Sequence, residues 1–331
     1  MTLARTAALA APVLLLLASE VQAQPVQLAR LYQGRREAEQ SERISRKVRV
    51  GRDGRVSVSN VSGDITVSTI GGDEVSIDAV KHGTRSAFDR VTVVIDDRPG
   101  RVDISTEYSR IGRWGNTNVS VDYTIGVPEG AAVDLKSVSG TVRVSAVKGS
   151  VRLQSISGNV VTAGAPRVEF AKTVSGNLEL NGVSFDGDLS VAVISGTLRA
   201  NGLKARSLDI NSVSGDVLLR NAACERVSAR TISGSFEYAG TLARNGRYDV
   251  ASHSGDVRFA LGDGTGFELS AGSFSGSVRS DYAGTLDIGR GRGRGRGPNR
   301  GPGQTVQATI GDGSARLELH TFSGNIVIDK R

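Results

Sequence analysis

One four-residue corner constrains this chain more than any other feature: Ser137-Val-Ser-Gly140 returns as SISG, TVSG, VISG, SVSG, TISG, SHSG, SFSG and TFSG. The serine of each Ser-Gly falls at Ser139, Ser157, Ser175, Ser195, Ser214, Ser233, Ser254 and Ser275, at intervals of 18, 18, 20, 19, 19, 21 and 21. One further copy precedes them at Ser62 and one follows at Ser323. A period near twenty residues marks a repeat architecture. Each unit is too small to bury its apolar face alone and must stack on its neighbours.

Aligned on the Ser-Gly, a unit reads as two short runs of alternating apolar residues around a corner, as in Val133-Asp-Leu135-Lys-Ser-Val138-Ser-Gly-Thr-Val142-Arg-Val144. Period-two alternation is the signature of strands, so the chain is predicted to be all-β, a parallel β-solenoid (β-helix) of ~19-residue rungs with an N-terminal β cap. Glycine at the corner implies positive φ or close approach of two backbones, either of which disfavours a Cβ. The apolar residue before each Ser-Gly is expected to point inward. Those residues, Val138, Ile156, Val174, Ile194, Val213, Ile232, His253, Phe274 and Phe322, would then form a ladder through the core. Phe236, Tyr238, Phe259, Phe267 and Phe274 predict a wider cross-section in the late rungs.

In chain order, residues 1–23 read as a signal peptide. Arg5 precedes an apolar run from Ala7 to Ala18, and Val21-Gln-Ala23 supplies small residues for cleavage. That run is too short to span a bilayer, and no other segment is apolar enough to cross one, so the protein is expected to be exported and not transmembrane. Residues 24–47 mix both charges without β periodicity and read as a flexible linker. Residues 48–130 hold the first rung and a cap of longer strands, with Arg98-Pro-Gly100 as a turn. Residues 131–331 form the solenoid, interrupted by an Arg-Gly-rich loop at 289–303. The single cysteine, Cys224, can form no internal disulfide.

The rungs, with Val58-Ser-Asn-Val-Ser-Gly-Asp-Ile-Thr-Val67, the strand end Tyr123-Thr-Ile-Gly-Val-Pro128 and Val133–Gly140, resemble the bacterial putative-adhesin family of β-solenoid envelope proteins, a domain of unknown function. The resemblance runs from about Val48 to the C-terminus. It implies an exported or envelope-associated protein and supplies no catalytic residue. The Arg-Gly insert departs from the family pattern.

Chemistry is sparse. His82, His253 and His320 fall in no spacing that forms a triad or a metal site, so neither cofactor nor metal is expected. Stacking by the repeat would make Asp249 and Glu268 rung neighbours, and a close carboxylate pair is what a retaining glycosidase uses. That makes a carbohydrate-active solenoid enzyme the alternative reading; a solvated face relieved by nearby arginines is the plainer one. Two segments are candidate binding sites. The first sets the sole tryptophan, Trp114, near Tyr108, Arg110 and Arg113, a composition suited to sugar stacking or protein anchoring. The second is the insert with Arg290, Arg292, Arg294, Arg296 and Arg300; without those five the net charge of +7 falls to +2. In an exported protein such an arm points to anionic envelope polymers or surface glycans rather than to a specific nucleic acid. The expected function is a non-enzymatic interaction or structural protein of the periplasm or cell surface.

Overall fold

The computed structural model describes residues 40–109, 119–262, 264–282, 285–290 and 303–331. Residues 39–331 group as one compact unit, whose described residues are almost entirely strands, with one helical turn among them, Arg85–Phe88. The parallel β-solenoid inferred from the repeat is the fold. Equivalent rungs pair residue for residue, so Val133, Leu135 and Ser139 lie opposite Val151, Leu153 and Ser157. The post-corner strands Val142–Ser145, Val160–Ala163, Leu178–Asn181 and Leu198–Asn201 stack in the same register. Every serine of a Ser-Gly sits opposite the next, from Ser62 and Ser139 to Ser254, Ser323 and Ser275.

The glycine of each corner is explained by backbone proximity. A Cβ on Gly158 would collide with the carbonyl oxygen of Gly140, and one on Gly215 with that of Gly196. Gly158 also has φ of +150°, whereas Gly215 is excluded from bearing a side chain by contact alone. After several of these glycines a polar side chain ties its rung to the next. The Thr141 amide donates to Asp64 Oδ1 at 2.8 Å, the Asn177 amide to Asn159 at 3.0 Å and the Ser235 amide to Asp216 at 2.9 Å. These Asp and Asn side chains satisfy donors that a sharp turn leaves unpaired.

Rung order departs from chain order at both ends. The first rung, Arg55–Ser62, lies between Ala132–Ser139 and the strand Arg101–Tyr108, which the chain reaches later. At the other end Ala315–Ser323 is inserted between Phe236–Ser254 and Phe267–Ser275. Antiparallel strands close both ends. Glu74–Gly83 pairs with Ser120–Pro128, Val91–Arg98 forms a hairpin with Arg101–Tyr108 across Pro99-Gly100, and Gln304–Ile310 pairs with Phe267–Ser275.

Two expectations are corrected. Residues 40–47 are not linker: Gln40–Arg49 is a strand antiparallel to Glu74–Gly83. Its alternation is hidden because only Ile44 and Val48 are apolar, and charge pairs hold the rest, Lys81 to Glu42 at 3.1 Å and Arg46 to Asp97 at 2.7 Å. Such charges blunt an edge strand against further pairing. The insert also begins later than Gly289, since the strand Thr285–Arg290 carries two of its residues against Gln304–Ile310. Residues 1–39 lie outside the described residues.

The core is the inward set of each rung: Val133, Leu135 and Val142 in one, Val151, Leu153 and Val160 in the next. Towards the C-terminal end it becomes aromatic. Tyr238 stacks on Phe259 at 5.2 Å and meets Tyr248 edge-on at 5.7 Å. The Tyr248 hydroxyl donates to Cys224 O at 2.6 Å and accepts from the Ala243 amide at 2.8 Å, so the polar tips are satisfied inside an apolar layer.

Candidate interaction surface

The apolar column before the Ser-Gly is not in the core. Strand alternation explains why: Val133 and Leu135 point inward, so Ser137 does too, and Val138 faces out. Ser137, Ser155, Thr173, Ser212, Thr231, Ser252, Ser273 and Thr321 are buried, whereas Val138 is 41%, Ile156 52% and Ile232 55% exposed. In these eight rungs the inner slot holds a small hydroxyl, which in some of them bonds a backbone carbonyl of the corner, whereas the buried Val193 fills it in the rung between Thr173 and Ser212. Ser273 Oγ donates to Gly324 O at 2.8 Å and Ser212 Oγ to Gly215 O at 3.3 Å. At the first rung Asn60 fills this slot and donates to Ser62 O, Gly63 O and Val121 O. The hydroxyls of Ser137, Ser155 and Ser252 have no partner.

The consequence is a surface feature. Among the described residues, every exposed large hydrophobic side chain occupies this one column: Val61, Val138, Ile156, Ile194, Val213, Ile232, Phe274 and Phe322. Val174 is half-buried in the same column, and His253 is exposed there. Single exposed apolar residues are ordinary, but a contiguous set marks a contact surface. Ten positions at ~4.8 Å per rung give a ridge on the order of 40 Å long. Its C-terminal end is aromatic. The His253 ring stacks on Phe322 at 5.1 Å, and Phe322 on Phe274 at 4.8 Å, both within 8° of parallel. Chain order alone would have put Phe274 next to His253.

The two flanks of the ridge differ in charge. Two residues before each ridge residue lies a column with Lys136, Lys172, Arg230 and His320, opposite one another through Gln154, Ala192, Asn211 and Ala251. It contains no carboxylate. Beyond the glycine lies the column with Asp64, Asp216 and Asp256. Hydrogen bonds from the Ser235 hydroxyl and amide hold the Asp216 carboxyl below its usual range. Burial raises that of Asp64, but the Thr141 amide and the Arg143 guanidinium lower it further than burial raises it.

Most of the binding residues singled out in the sequence fall outside what the structure describes. Trp114, Arg110, Arg113, Arg292, Arg294, Arg296 and Arg300 lie outside the described residues, as does the side chain of Arg290. Tyr108 is half-buried, with its hydroxyl donating to Val119 O at 3.1 Å, and burial raises its pKa. The carboxylate pair does not form. Asp249 lies opposite Glu318, and Glu268 lies opposite Arg316, because Ala315–Ser323 separates their strands. Glu318 is itself held by Arg316 at 2.8 Å. Cys224 is buried, and burial pushes its thiol up to about 11.

A family model, described as Toastrack DUF4097, matches residues 123–329. The chain belongs to the Toastrack DUF4097 family. Several solved structures align with this Toastrack chain at low identity. One titled a putative adhesin from Bacteroides fragilis covers 88% of this chain and 97% of its own, at 11% identity and a TM-score of 0.42. Another putative adhesin, from Parabacteroides distasonis, covers 66% and 90%, at 14% identity and 0.35. A third, titled a putative lipid binding protein from the same organism, covers 66% and 90%, at 12% identity and 0.31. Comparison with curated proteins gives no match.

Proposed function

We propose that this Toastrack protein is a non-enzymatic, adhesin-like interaction protein of the cell envelope, exported by its N-terminal segment to the periplasm or cell surface, with the apolar ridge as its principal contact face. The observation that carries this reading is the confinement of all exposed large apolar side chains, among the described residues, to one column of a regular scaffold. Random exposure scatters such residues, whereas a binding surface aligns them. The non-enzymatic part is supported by the separation of Asp249 from Glu268 and by the pairing of Glu318, the carboxylate that does lie opposite Asp249, with Arg316 at 2.8 Å. No helix among the described residues is long and apolar enough to cross a membrane.

The tryptophan segment and the arginines from Arg290 to Arg300 are proposed as secondary contacts for anionic envelope polymers or surface glycans, on composition alone. The test is a binding screen of the mature chain against envelope glycans, polyanions and immobilised copies of itself, repeated with Ile156→Ser/Ile232→Ser. Loss of a binding signal in that double variant is the expected result. A screen in which the variant binds everything the parent binds would remove the ridge from the proposal. Release of new reducing ends from any glycan would remove the non-enzymatic reading.

A further inference from the structure

We infer that the ridge pairs with the ridge of a second copy of this chain, in parallel, about a two-fold axis running along the stack. The inference rests on the reading of the ridge as a contact face and adds the identity and orientation of the partner.

Shape narrows the choice of partner. The ridge is one side chain wide and stands on a convex corner, and the surface clefts, such as that between Glu268 and Arg316 or that beside Glu179 and Arg220, contain none of its residues. A small ligand or an extended peptide needs a concave site. A second ridge has the same course and the same spacing of ~4.8 Å, so it matches the first side chain for side chain. The eight exposed apolar residues offer roughly 600 Å² per copy, and the flanking serines raise this towards the ~800 Å² per partner of a standard interface.

Charge fixes the direction. A two-fold axis along the stack sets the cationic flank of one copy against the carboxylate flank of the other. Arg230 is then level with Ser235 of its partner copy and one rung from both Asp216 and Asp256, which are exposed. Lys136 stands one rung from Asp64, a half-buried carboxylate that Arg143 already meets at 2.9 Å. An axis across the stack would instead oppose the two cationic columns, which contain no carboxylate to offset them. Opposite-charge columns favour pairing and like columns disfavour it.

Parallel pairing brings each ridge residue against itself along the whole length, and antiparallel pairing does so only near the middle. The test uses the full mature chain with Val138→Cys or Phe322→Cys, one at each end of the ridge; the buried Cys224 is left in place. Under mild oxidation both variants are expected to form disulfide-linked dimers, since that bond needs Cα atoms within about 7 Å. In light scattering the parent should be dimeric, and Ile156→Ser/Ile232→Ser should weaken the dimer by about tenfold or more. Cross-linking only through a central Val213→Cys would overturn the parallel arrangement. A parent that stays monomeric on the order of 100 μM would overturn the pairing altogether. If that monomer still loses a glycan, polyanion or vesicle partner in the serine variant, the ridge remains a contact face with another occupant. If it loses none, both readings fail.

Discussion

The Thr141 amide donates to the Asp64 carboxylate at 2.8 Å across 77 residues of sequence, joining the first rung to the rung that follows the N-terminal cap. Arg143 meets the same carboxylate at 2.9 Å. Asp64 therefore acts as a latch that exists only once the intervening cap has folded back.

That latch should be acid-sensitive. The Asp64 pKa is lowered from its ordinary 3.8 because the Thr141 and Arg143 contacts outweigh burial. Its contribution is therefore fully present above pH 3.8 and is lost as pH falls through the lower folded value. Asp64→Asn keeps an acceptor for Thr141 and removes the charge. Melting temperatures of parent and variant should differ at neutral pH and converge under acid; a constant gap down to pH 2 would show that the charge contributes nothing.

The corner glycines should be separable from loop glycines by one methyl group. Gly215→Ala places a Cβ against the Gly196 carbonyl, whereas Gly71→Ala meets nothing within 4 Å. Because the backbones of both rungs must shift, the first change should cost more than about 2 kcal/mol, and the second less than about 0.5 kcal/mol. Urea unfolding of the two variants gives both numbers.

Sidedness has its own measurement. Leu153 is fully buried and Ile156 is half exposed in the same strand. Leu153→Ala should cost about 2–5 kcal/mol, while Ile156→Ser should stay within about 1 kcal/mol, since a side chain already half in water has little burial to lose. Equal costs would return the ridge to the core.

Alkali should loosen the aromatic end and the cap together. Burial pushes the hydroxyls of Tyr123 and Tyr248 up to about 12 from an ordinary 10.0. Stability they contribute is intact below pH 10 and declines as pH rises from 10 towards 12, because the unfolded chain ionises first. Tyr248→Phe leaves the Ala243 amide and Cys224 carbonyl without their partner and should cost about 1–3 kcal/mol near neutrality. It should also flatten the alkaline decline in melting temperature.

Much of the architecture was legible because the Ser-Gly corner is set by backbone contact, which repeats wherever rungs stack. The sidedness of the ridge was legible too, and was misread. Counting by two from Val133 and Leu135 puts Ser137 inside and Val138 outside, whereas hydrophobicity alone argues the reverse; the inner slot is polar in most rungs, where its hydroxyl can reach corner carbonyls, and holds Val193 in one. The order of the last rungs was not legible. A repeat identifies which residues are equivalent but not which copy stacks on which, so Glu268 looked adjacent to Asp249 until Ala315–Ser323 was found between them. The strand Gln40–Arg49 is not legible in the sequence because its partners are charges on distant residues, such as Asp78 and Asp97.

The inserted strand has a consequence for how the molecule comes into being. Since Ala315–Ser323 lies inside the stack and Phe267–Ser275 outside it, a chain emerging N-terminus first cannot complete its rungs in the order of their appearance. The parallel edge of Phe236–Ser254 must wait, unpaired, until Ala315–Ser323 is delivered. A chain that stopped before Ala315 would therefore leave the edges of Phe236–Ser254 and Phe267–Ser275 without the strand that lies between them, the condition that invites aggregation. Completion of the stack is tied to the synthesis of Ala315–Ser323, and a product that lacks this strand identifies itself by what it leaves uncovered.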